Sequence, residues 1–259
     1  MRNRFISLRL AVTLPLIVVI TATFVISIMR YRADYEFLAK EQGSKIVEAL
    51  TNNTQNELNA ILSQPLIMAE IIGYTITNEK MFLGEDLSAI ENYQKSLMKS
   101  IKEKIPQISV ISYGDENGNY IGIRDNGEGK DFSLMLKDSR TGGLLNIYEG
   151  DSINSNIITS IEGYDPRIRP WYEPVRKNIA SSWSNIYINQ DEKMEATTSV
   201  SVPVFGNSGE FRGVFEIGVN LDEINDFLQK NKIKDNGVVF IVNDELDIVA
   251  QSEAHNNAV

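Results

Sequence analysis

The sequence predicts an α+β protein with an apolar N-terminal helix, and three observations lead to that fold class. Residues 10–29 form an uncharged run, residues 33–72 repeat apolar side chains every three or four positions, and the pattern becomes alternating after residue 107. A period of three to four is typical of an amphipathic helix, and a period of two is typical of a strand. Helices followed by consecutive short strands indicate an antiparallel sheet with helices segregated from it.

The uncharged run 10–29 is long enough to form a transmembrane helix. A helix rises about 1.5 Å per residue, and about 20 residues cross a bilayer core of about 30 Å. The alternative is a cleaved signal peptide, whose apolar core of about 7–15 residues precedes small residues at the cleavage site. Here the run ends at Arg30, Tyr31 and Arg32. We therefore predict an uncleaved anchor, with residues 1–9 as a cytoplasmic tail because short positively charged tails stay inside.

Residues 33–106 are predicted to be a helical region that leaves the membrane. The first helix keeps its apolar period to residue 72, although Pro65 should kink or interrupt it. A second amphipathic helix covers residues 87–105 and stops before Pro106. Most apolar positions of both helices are expected to pack in a core. A helix that runs directly out of the membrane would also tie the domain to the bilayer, and we expect it to pair with its copy in a homodimer.

The rest of the chain is predicted to be mainly strands. Residues 221–229 form a helix capped by Asn220, and a final hairpin surrounds residues 243–245. Two strands alone are marginally stable in water, so this hairpin is expected to open a second module that the sequence does not complete. The predicted strands cover residues 108–113, 120–124, 132–136, 144–148, 184–188, 194–205, 210–219, 238–242 and 246–251.

The segment 164–172 concentrates the residue types that bind small molecules. Two prolines stiffen it, so it can present side chains at a low entropic cost. Arg169 offers a planar fork for a carboxylate, and Trp171 offers an apolar wall. A structural role is the alternative, with arginine and tryptophan forming a cation–π contact and Asp165 capping a turn. Arg167 is expected to pair within its own loop.

Composition and charge disfavour several other functions. The formal net charge is −10, which disfavours nucleic acid and anionic lipid as partners, and the chain has no cysteine for thiolate metal or redox chemistry. The single histidine, His255, lies in the polar tail after the last strand. Residues 115–119 are expected to form a hairpin turn and not a calcium loop. We therefore expect no catalytic residues, no metal site and no cofactor.

Three stretches resemble the double Cache family of extracytoplasmic sensor domains in bacterial transmembrane receptors. The specific string is residues 164–172, Tyr-Asp-Pro-Arg-Ile-Arg-Pro-Trp-Tyr, supported by residues 182–187 and by residues 200–205 leading to 213–221. The resemblance implies two PAS-like modules outside the bacterial inner (plasma) membrane. The membrane-distal, ligand-binding module would cover residues 107–230, and residues 237–259 would begin the membrane-proximal module. Its receptors are chemoreceptors, sensor histidine kinases or diguanylate cyclases.

The resemblance also implies a ligand site. In members that bind amino acids, the residues matching Arg169 and Trp171 hold the ligand carboxylate, helped by tyrosines that match Tyr164, Tyr172 and Tyr187.

The sequence departs from this pattern where the ligand ammonium would bind. Gly218 takes the place of the family aspartate, and Asn189 replaces an expected acidic residue. Glu216 lies two residues before Gly218, so on a strand it faces the same side, displaced by roughly 6–7 Å. We therefore include Glu216 in the expected site, and either an amino acid or an organic acid fits the sequence.

The predicted function is the ligand-sensing region of a signal-transduction receptor, which binds a small carboxylate-bearing metabolite and passes a signal across the membrane. It is not expected to be an enzyme. The alternative is a membrane-anchored solute-binding or adhesion module that passes no signal.

Overall fold

A computed structural model describes most of the chain. The chain divides into two compact units, Met1–Gln55 and Asn56–Val259. The described residues are 8–81, 86–127, 129–189, 196–230, 238–242, 246 and 248–252.

The first unit is helical. Helix α1 spans Leu8–Asn78, and its N-terminal part includes the predicted transmembrane run. The most apolar 18-residue window of the helix has a mean hydropathy of 2.0, and none of that window is buried. Within the described residues, α1 is the helix that is long and apolar enough to cross a membrane.

Helices α1 and α2 differ from the prediction at their ends. Pro65 does not end α1, which continues to Asn78. Beyond the proline, Ala69, Ile72 and Ile76 are buried against the sheet, and this packing offsets the backbone hydrogen bond that proline cannot donate. Helix α2 spans Ser88–Ile101 and ends in a turn in which the Lys104 amide donates to the Ile101 carbonyl.

The second unit is built on one antiparallel sheet. Its strands run in the order β5-β4-β3-β2-β1-β9-β8-β6, with β7 also paired to β8. The strands are β1 (Ile108–Asp115), β2 (Tyr120–Arg124), β3 (Ser133–Lys137), β4 (Leu145–Tyr148), β5 (Ile157–Ile161), β6 (Ser182–Trp183), β7 (Tyr187–Ile188), β8 (Ala196–Phe205) and β9 (Phe211–Asn220).

Three elements of this unit differ from the sequence prediction. Strand β5 and the short helix α3 (Glu173–Asn178) were not predicted. The strand predicted at 184–188 is two shorter strands, β6 and β7, which pair with different parts of β8. The predicted α+β class is confirmed.

The two faces of the sheet are covered by different elements. Ile111, Ile123 and Leu134 on one face pack with residues of α1 and α2. On the other face, Val110 and Met135 pack with the segment 164–175. Because side chains alternate along a strand, every second residue of β1, β2, β3 and β9 points toward this second face.

Helix α4 and a separate hairpin form the end of the described chain. Helix α4 spans Leu221–Lys230, and its Asp222 amide donates to Asn220 Oδ1 at 2.8 Å, as the predicted cap requires. Strands β10 (Phe240–Val242) and β11 (Ile248–Gln251) form a two-stranded sheet that packs on α4. The predicted turn 243–245 and His255 lie outside the described residues. The assignment of this hairpin to a second module stays a prediction.

Candidate ligand-binding site

A cavity lies on the sheet face that packs with the segment 164–175. The free space at this place measures about 460 Å³ when its opening to solvent is included. Its walls combine aliphatic, aromatic and charged side chains. The lining residues are Val110, Tyr120, Arg124, Met135, Leu145, Ile147, Ile161, Tyr164, Arg169, Trp171, Tyr187, Asn189 and Glu216.

Small residues on the central strands form the floor of this cavity. Gly122 of β2 lies opposite Ser112 of β1, which in turn lies opposite Glu216 of β9. A Cβ atom on Gly122 would lie 2.8 Å from both the Tyr120 hydroxyl and the Met135 Cε. A glycine inside a strand often marks a close approach of this kind. The Tyr120 side chain therefore fits on this floor because Gly122 has no side chain.

The segment 164–172 covers one end of the cavity. Asp165 accepts hydrogen bonds from the Arg167 amide at 2.9 Å and from the Arg167 guanidinium at 2.8 Å, so Arg167 pairs within its own loop as expected. Pro166 and Trp171 rest directly on β1. A Cβ atom on Gly114 would lie 2.9 Å from Pro166 Cβ and 3.0 Å from Trp171 Cη2.

Glu116, in the turn between β1 and β2, holds the outer side of this segment. Its carboxylate accepts from the Tyr172 hydroxyl at 2.8 Å and from Arg176 Nη2 at 3.0 Å, and its carbonyl accepts from Arg167 Nη1 at 3.2 Å. Tyr172 is fully buried and is not among the lining residues. The structure therefore does not bring Tyr172 into the cavity, and the Tyr172 hydroxyl donates to Glu116 instead.

Arg169 is the cation of the covering segment that faces the cavity. Its guanidinium carbon lies 5.7 Å from the centre of the Tyr187 ring, and its Nη2 lies 3.5 Å from the Ile188 carbonyl oxygen. That second distance is long for a hydrogen bond. Among the described residues, no carboxylate forms an ion pair with Arg169. Its donors can therefore serve a ligand.

Glu216 lies at the bottom of the cavity in a cluster of hydroxyl groups. It is 2% exposed and accepts from Ser112 Oγ at 2.6 Å, Ser199 Oγ at 2.6 Å and the Tyr187 hydroxyl at 2.7 Å. Burial raises the pKa of the Glu216 carboxyl, while the three hydroxyl donors and Arg169 act in the opposite direction. Burial also raises the pKa of Tyr187, so that its hydroxyl keeps its proton and remains a donor.

Five of the six residues expected in the site line one cavity, namely Tyr164, Arg169, Trp171, Tyr187 and Glu216. Sequence reasoning missed Tyr120 and Arg124, which lie on the cavity face of β2. The alternation Tyr120, Gly122, Arg124 was the available signal, because these three positions must share one face of a strand.

Gly218 closes off the place where the aspartate was expected. A Cβ atom there would lie 2.4 Å from Val110 Cγ1 and 3.4 Å from Thr197 Cγ2. We predict that Gly218→Asp destabilises the fold by about 1–3 kcal/mol, the usual cost of overpacking. Thermal unfolding of the variant measures the loss. Adding Val110→Ala should restore part of it, with Val110→Ala alone as the control; an equal loss with and without that change would contradict the steric explanation.

The sheet carries a cavity under a loop of aromatic and arginine side chains, and comparisons with known proteins show where this arrangement recurs. Residues 115–226 match the family described as methyl-accepting chemotaxis protein-like, first PDC sensor domain. The methyl-accepting chemotaxis protein McpB of Bacillus subtilis (strain 168) is 22% identical over 200 residues, which cover 74% of this chain and 29% of McpB. The chain thus spans less than a third of that relative.

Solved structures show the same fold. The ligand-binding domain of the Campylobacter jejuni chemoreceptor Tlp3, in complex with 4-methylisoleucine, is 15% identical with a TM-score of 0.52, covering 78% of this chain and 67% of that chain. The ligand-binding domain of Pseudomonas fluorescens CtaA, in complex with L-serine, is 15% identical with a TM-score of 0.52, covering 77% and 67%. The extracellular domain of the putative histidine kinase mmHK1S-Z3 is 14% identical with a TM-score of 0.51, covering 75% and 65%.

These findings confirm the resemblance to double Cache sensor domains. Residues 115–226 match a chemoreceptor-type PDC sensor domain, and the surrounding fold is similar to that of chemoreceptor ligand-binding domains. The matched family and the curated relative are sensors and receptors, so this region is a sensor domain and not a catalytic one.

Proposed function

We propose that the cavity binds a small carboxylate-bearing metabolite, an amino acid or an organic acid, and that Arg169 holds its carboxylate. The observation that carries this proposal is the position of Arg169, which lines the cavity and has no carboxylate partner among the described residues. Guanidinium and carboxylate groups form paired, charge-assisted hydrogen bonds. Trp171, Tyr164 and Tyr187 would form the walls around the ligand, with Glu216 at the bottom.

The ligands of similar proteins support this class of compound. The structures of Tlp3 and CtaA contain 4-methylisoleucine and L-serine, and that of the Pseudomonas aeruginosa PAO1 amino acid chemoreceptor PctC contains GABA. PctC is 14% identical to this chain with a TM-score of 0.51, covering 78% of this chain and 72% of that chain. Each of these three ligands carries a carboxylate.

We propose in addition that the chain is the sensing part of a larger membrane receptor. Residues 10–29 would cross a bacterial inner membrane, with residues 1–9 in the cytoplasm and the remainder outside. Residues 107–230 would form the membrane-distal module and residues 237–259 the start of the membrane-proximal one. A homodimer would carry the signal to a cytoplasmic output of the chemotaxis, histidine kinase or diguanylate cyclase type. The apolar stretch of α1 and the relationship to McpB support this arrangement.

Replacing Arg169 should remove carboxylate binding. The chain has two tryptophans, and Trp171 lines the cavity, so a Trp183→Phe background leaves one fluorescent reporter at the site. The full chain in detergent micelles is titrated with a panel of amino acids and organic acids. Hydrogen bonds to a charged group contribute about 1.5–3 kcal/mol, so Arg169→Gln should weaken binding by about 10- to 150-fold.

The matched control for this titration is Arg212→Gln. Arg212 is an exposed arginine that pairs with Glu210, and its side chain is not among the lining residues. The Arg212→Gln chain should bind the same ligands with the affinity of the unchanged chain. Unchanged affinity in Arg169→Gln would show that the carboxylate binds elsewhere.

A further inference from the structure

We propose that the cavity binds an aliphatic monocarboxylate without an ammonium group, because Glu216 is held as an uncharged carboxylic acid in a closed ring of hydroxyl groups. This inference rests on the proposed function and deepens it by naming the class of ligand. Arg169 holds the carboxylate, the tail of the ligand is apolar, and Glu216 offers no negative charge to an ammonium group.

Three oxygen atoms at the bottom of the cavity lie within hydrogen-bond distance of one another. Tyr187 Oη lies 2.7 Å from Ser199 Oγ and 2.7 Å from Glu216 Oε1. Ser199 Oγ lies 2.6 Å from the same Glu216 Oε1. The other carboxyl oxygen of Glu216, Oε2, accepts from Ser112 Oγ at 2.6 Å. The triangle therefore has three contacts, and each needs one proton between its two oxygens.

The number of protons in this triangle depends on the charge of Glu216. A tyrosine and a serine hydroxyl each supply one proton, so an ionised Glu216 leaves two protons for three contacts. Both hydroxyls would then donate to Oε1, and Tyr187 and Ser199 would face each other at 2.7 Å without a proton between them. A proton on Glu216 reverses one of these hydrogen bonds and closes the ring, so that each oxygen donates once and accepts once. The geometry therefore favours an un-ionised Glu216.

The surroundings of Glu216 also favour its uncharged form. The residue is 2% exposed, and burial raises the pKa of its carboxyl against the opposing effect of its hydroxyl partners and Arg169. Burial also raises the pKa of three neighbouring tyrosines, so these stay neutral. Arg124, which interacts with other parts of the protein, is assigned no ligand group. The titratable and charged groups that line the cavity with Glu216 are Tyr120, Arg124, Tyr164, Arg169 and Tyr187.

An uncharged Glu216 leaves an α-ammonium group without a counter-charge. In an α-amino acid the ammonium is bonded to the carbon next to the carboxylate, so a carboxylate held by Arg169 brings the ammonium close to the same guanidinium. Glu216 is the one carboxyl group among the described residues of the lining. Gly218 and Asn189 are neutral, and the Asn189 amide donates to Thr197 Oγ1 at 3.0 Å. Because a buried charge without a partner is costly, the site disfavours the zwitterion.

The opposite side of the cavity is aliphatic. The Arg169 guanidinium lies over the ring of Tyr187, which belongs to β7 and pairs with β8. The strand order places β3, β4 and β5 on the other side of β1 and β2 from β8. A ligand whose carboxylate binds Arg169 would therefore extend across the sheet toward apolar side chains. The aliphatic lining residues are Val110, Met135, Leu145, Ile147 and Ile161.

Pairs of ligands that differ only in the α-ammonium group test this inference. 3-Methylbutanoate is L-valine without its ammonium, 4-methylpentanoate is L-leucine without its ammonium, and propanoate and L-alanine form a smaller pair. Binding to the full chain in detergent micelles is measured at neutral pH by Trp171 fluorescence in the Trp183→Phe background. At least one monocarboxylate should bind about tenfold or more tightly than its amino-acid counterpart.

Infrared spectroscopy reports the charge of Glu216 directly. An un-ionised carboxylic acid has a carbonyl stretching band that a carboxylate lacks. At neutral pH the unchanged chain should show such a band that is missing from Glu216→Gln, and the band should persist when a monocarboxylate binds. Glu210→Gln is the matched control, because the pKa of Glu210 is lowered to about 2 and its replacement should remove no such band.

The outcomes separate this inference from the proposed function. If amino acids bind in an Arg169-dependent manner and no monocarboxylate exceeds its counterpart by about tenfold, the inference is wrong and the proposed function stands. An ionised Glu216 in the infrared spectrum would also overturn the inference and leave the proposed function intact. If no carboxylate binds, both are wrong. The ligand pairs decide on the unchanged chain even if Glu216→Gln does not fold.

Discussion

Gly213→Ala should sharply lower the thermal unfolding temperature of the sensor domain. Gly213 of β9 lies opposite Asp115 of β1, at the centre of the sheet. A Cβ atom at this position would lie 2.1 Å from the Gly114 carbonyl oxygen and 2.9 Å from Asp115 Cα. These are main-chain atoms, which cannot rotate away as a side chain can. The two central strands would have to separate to admit the methyl group.

The size of this effect follows from the cost of overpacking. Forcing an extra methyl into a packed interior costs about 1–3 kcal/mol, and more where the backbone must move. For a domain of this size, 1 kcal/mol corresponds to about 2–4 °C, so a fall of roughly 2–12 °C is expected. Differential scanning calorimetry of the full chain in detergent measures it.

Gly43→Ala is the control for the loss of a glycine. Gly43 lies within α1, and no atom lies within 4 Å of the position that a Cβ atom would take there. Alanine is favoured over glycine in a helix by about 0.5–1 kcal/mol, so this variant should not lose stability. A Gly213→Ala protein that unfolds at the temperature of the unchanged chain would contradict the register between β1 and β9.

Much of the sheet could be predicted because its signals are local. The turn between β1 and β2 is an example. Asp115 Oδ1 accepts from the amides of Asn117 at 2.9 Å and Asn119 at 2.8 Å, and Gly118 adopts a φ of 83°. Aspartate, asparagine and glycine are the residues that such a turn requires, so these residues identify it without knowledge of the fold.

Strand β5 could not be predicted because it lies at the edge of the sheet. It pairs with β4 alone, and the side chains of Ile157 and Ile158 are 52% and 51% exposed. A strand whose side chains are mostly exposed shows little alternation of apolar and polar residues. Its position is set by backbone pairing, which leaves little trace in the sequence.

The candidate site was predictable to the extent that it lies within one segment. Arg169 and Trp171 are two residues apart, so their cooperation is visible in the sequence. The environment of Glu216 depends instead on Ser112 and Ser199, which come from strands on either side of β9. Arg124 is a charged residue at a strand end, which in isolation predicts exposure to solvent. Only the strand register brings these groups to one cavity.

Glu216 should make the stability of the domain depend on pH in a specific direction. Burial raises the pKa of its carboxyl above the usual value of 4.5. As the pH rises above 4.5, the unfolded chain releases this proton while the folded chain retains it, so the folded state binds more protons and loses stability. The loss continues until the pH passes the pKa of the folded state. The unfolding temperature of the unchanged chain should therefore fall relative to that of Glu216→Gln, which cannot ionise.

The comparison is made by thermal unfolding of both proteins from about pH 4 to about pH 8, a range in which the other carboxyl groups affect both equally. Glu210→Gln provides a control of opposite sign. Glu210 is exposed, and hydrogen bonds from Ser208 lower its pKa to about 2. The stabilising contribution of ionised Glu210 is present above pH 4.5 and is lost as the pH falls toward 2. The unfolding temperature of the unchanged chain should therefore rise relative to that of Glu210→Gln as the pH rises. If the unchanged chain and Glu216→Gln keep a constant difference across the range, Glu216 does not titrate abnormally, and its burial among hydroxyl donors does not control its charge.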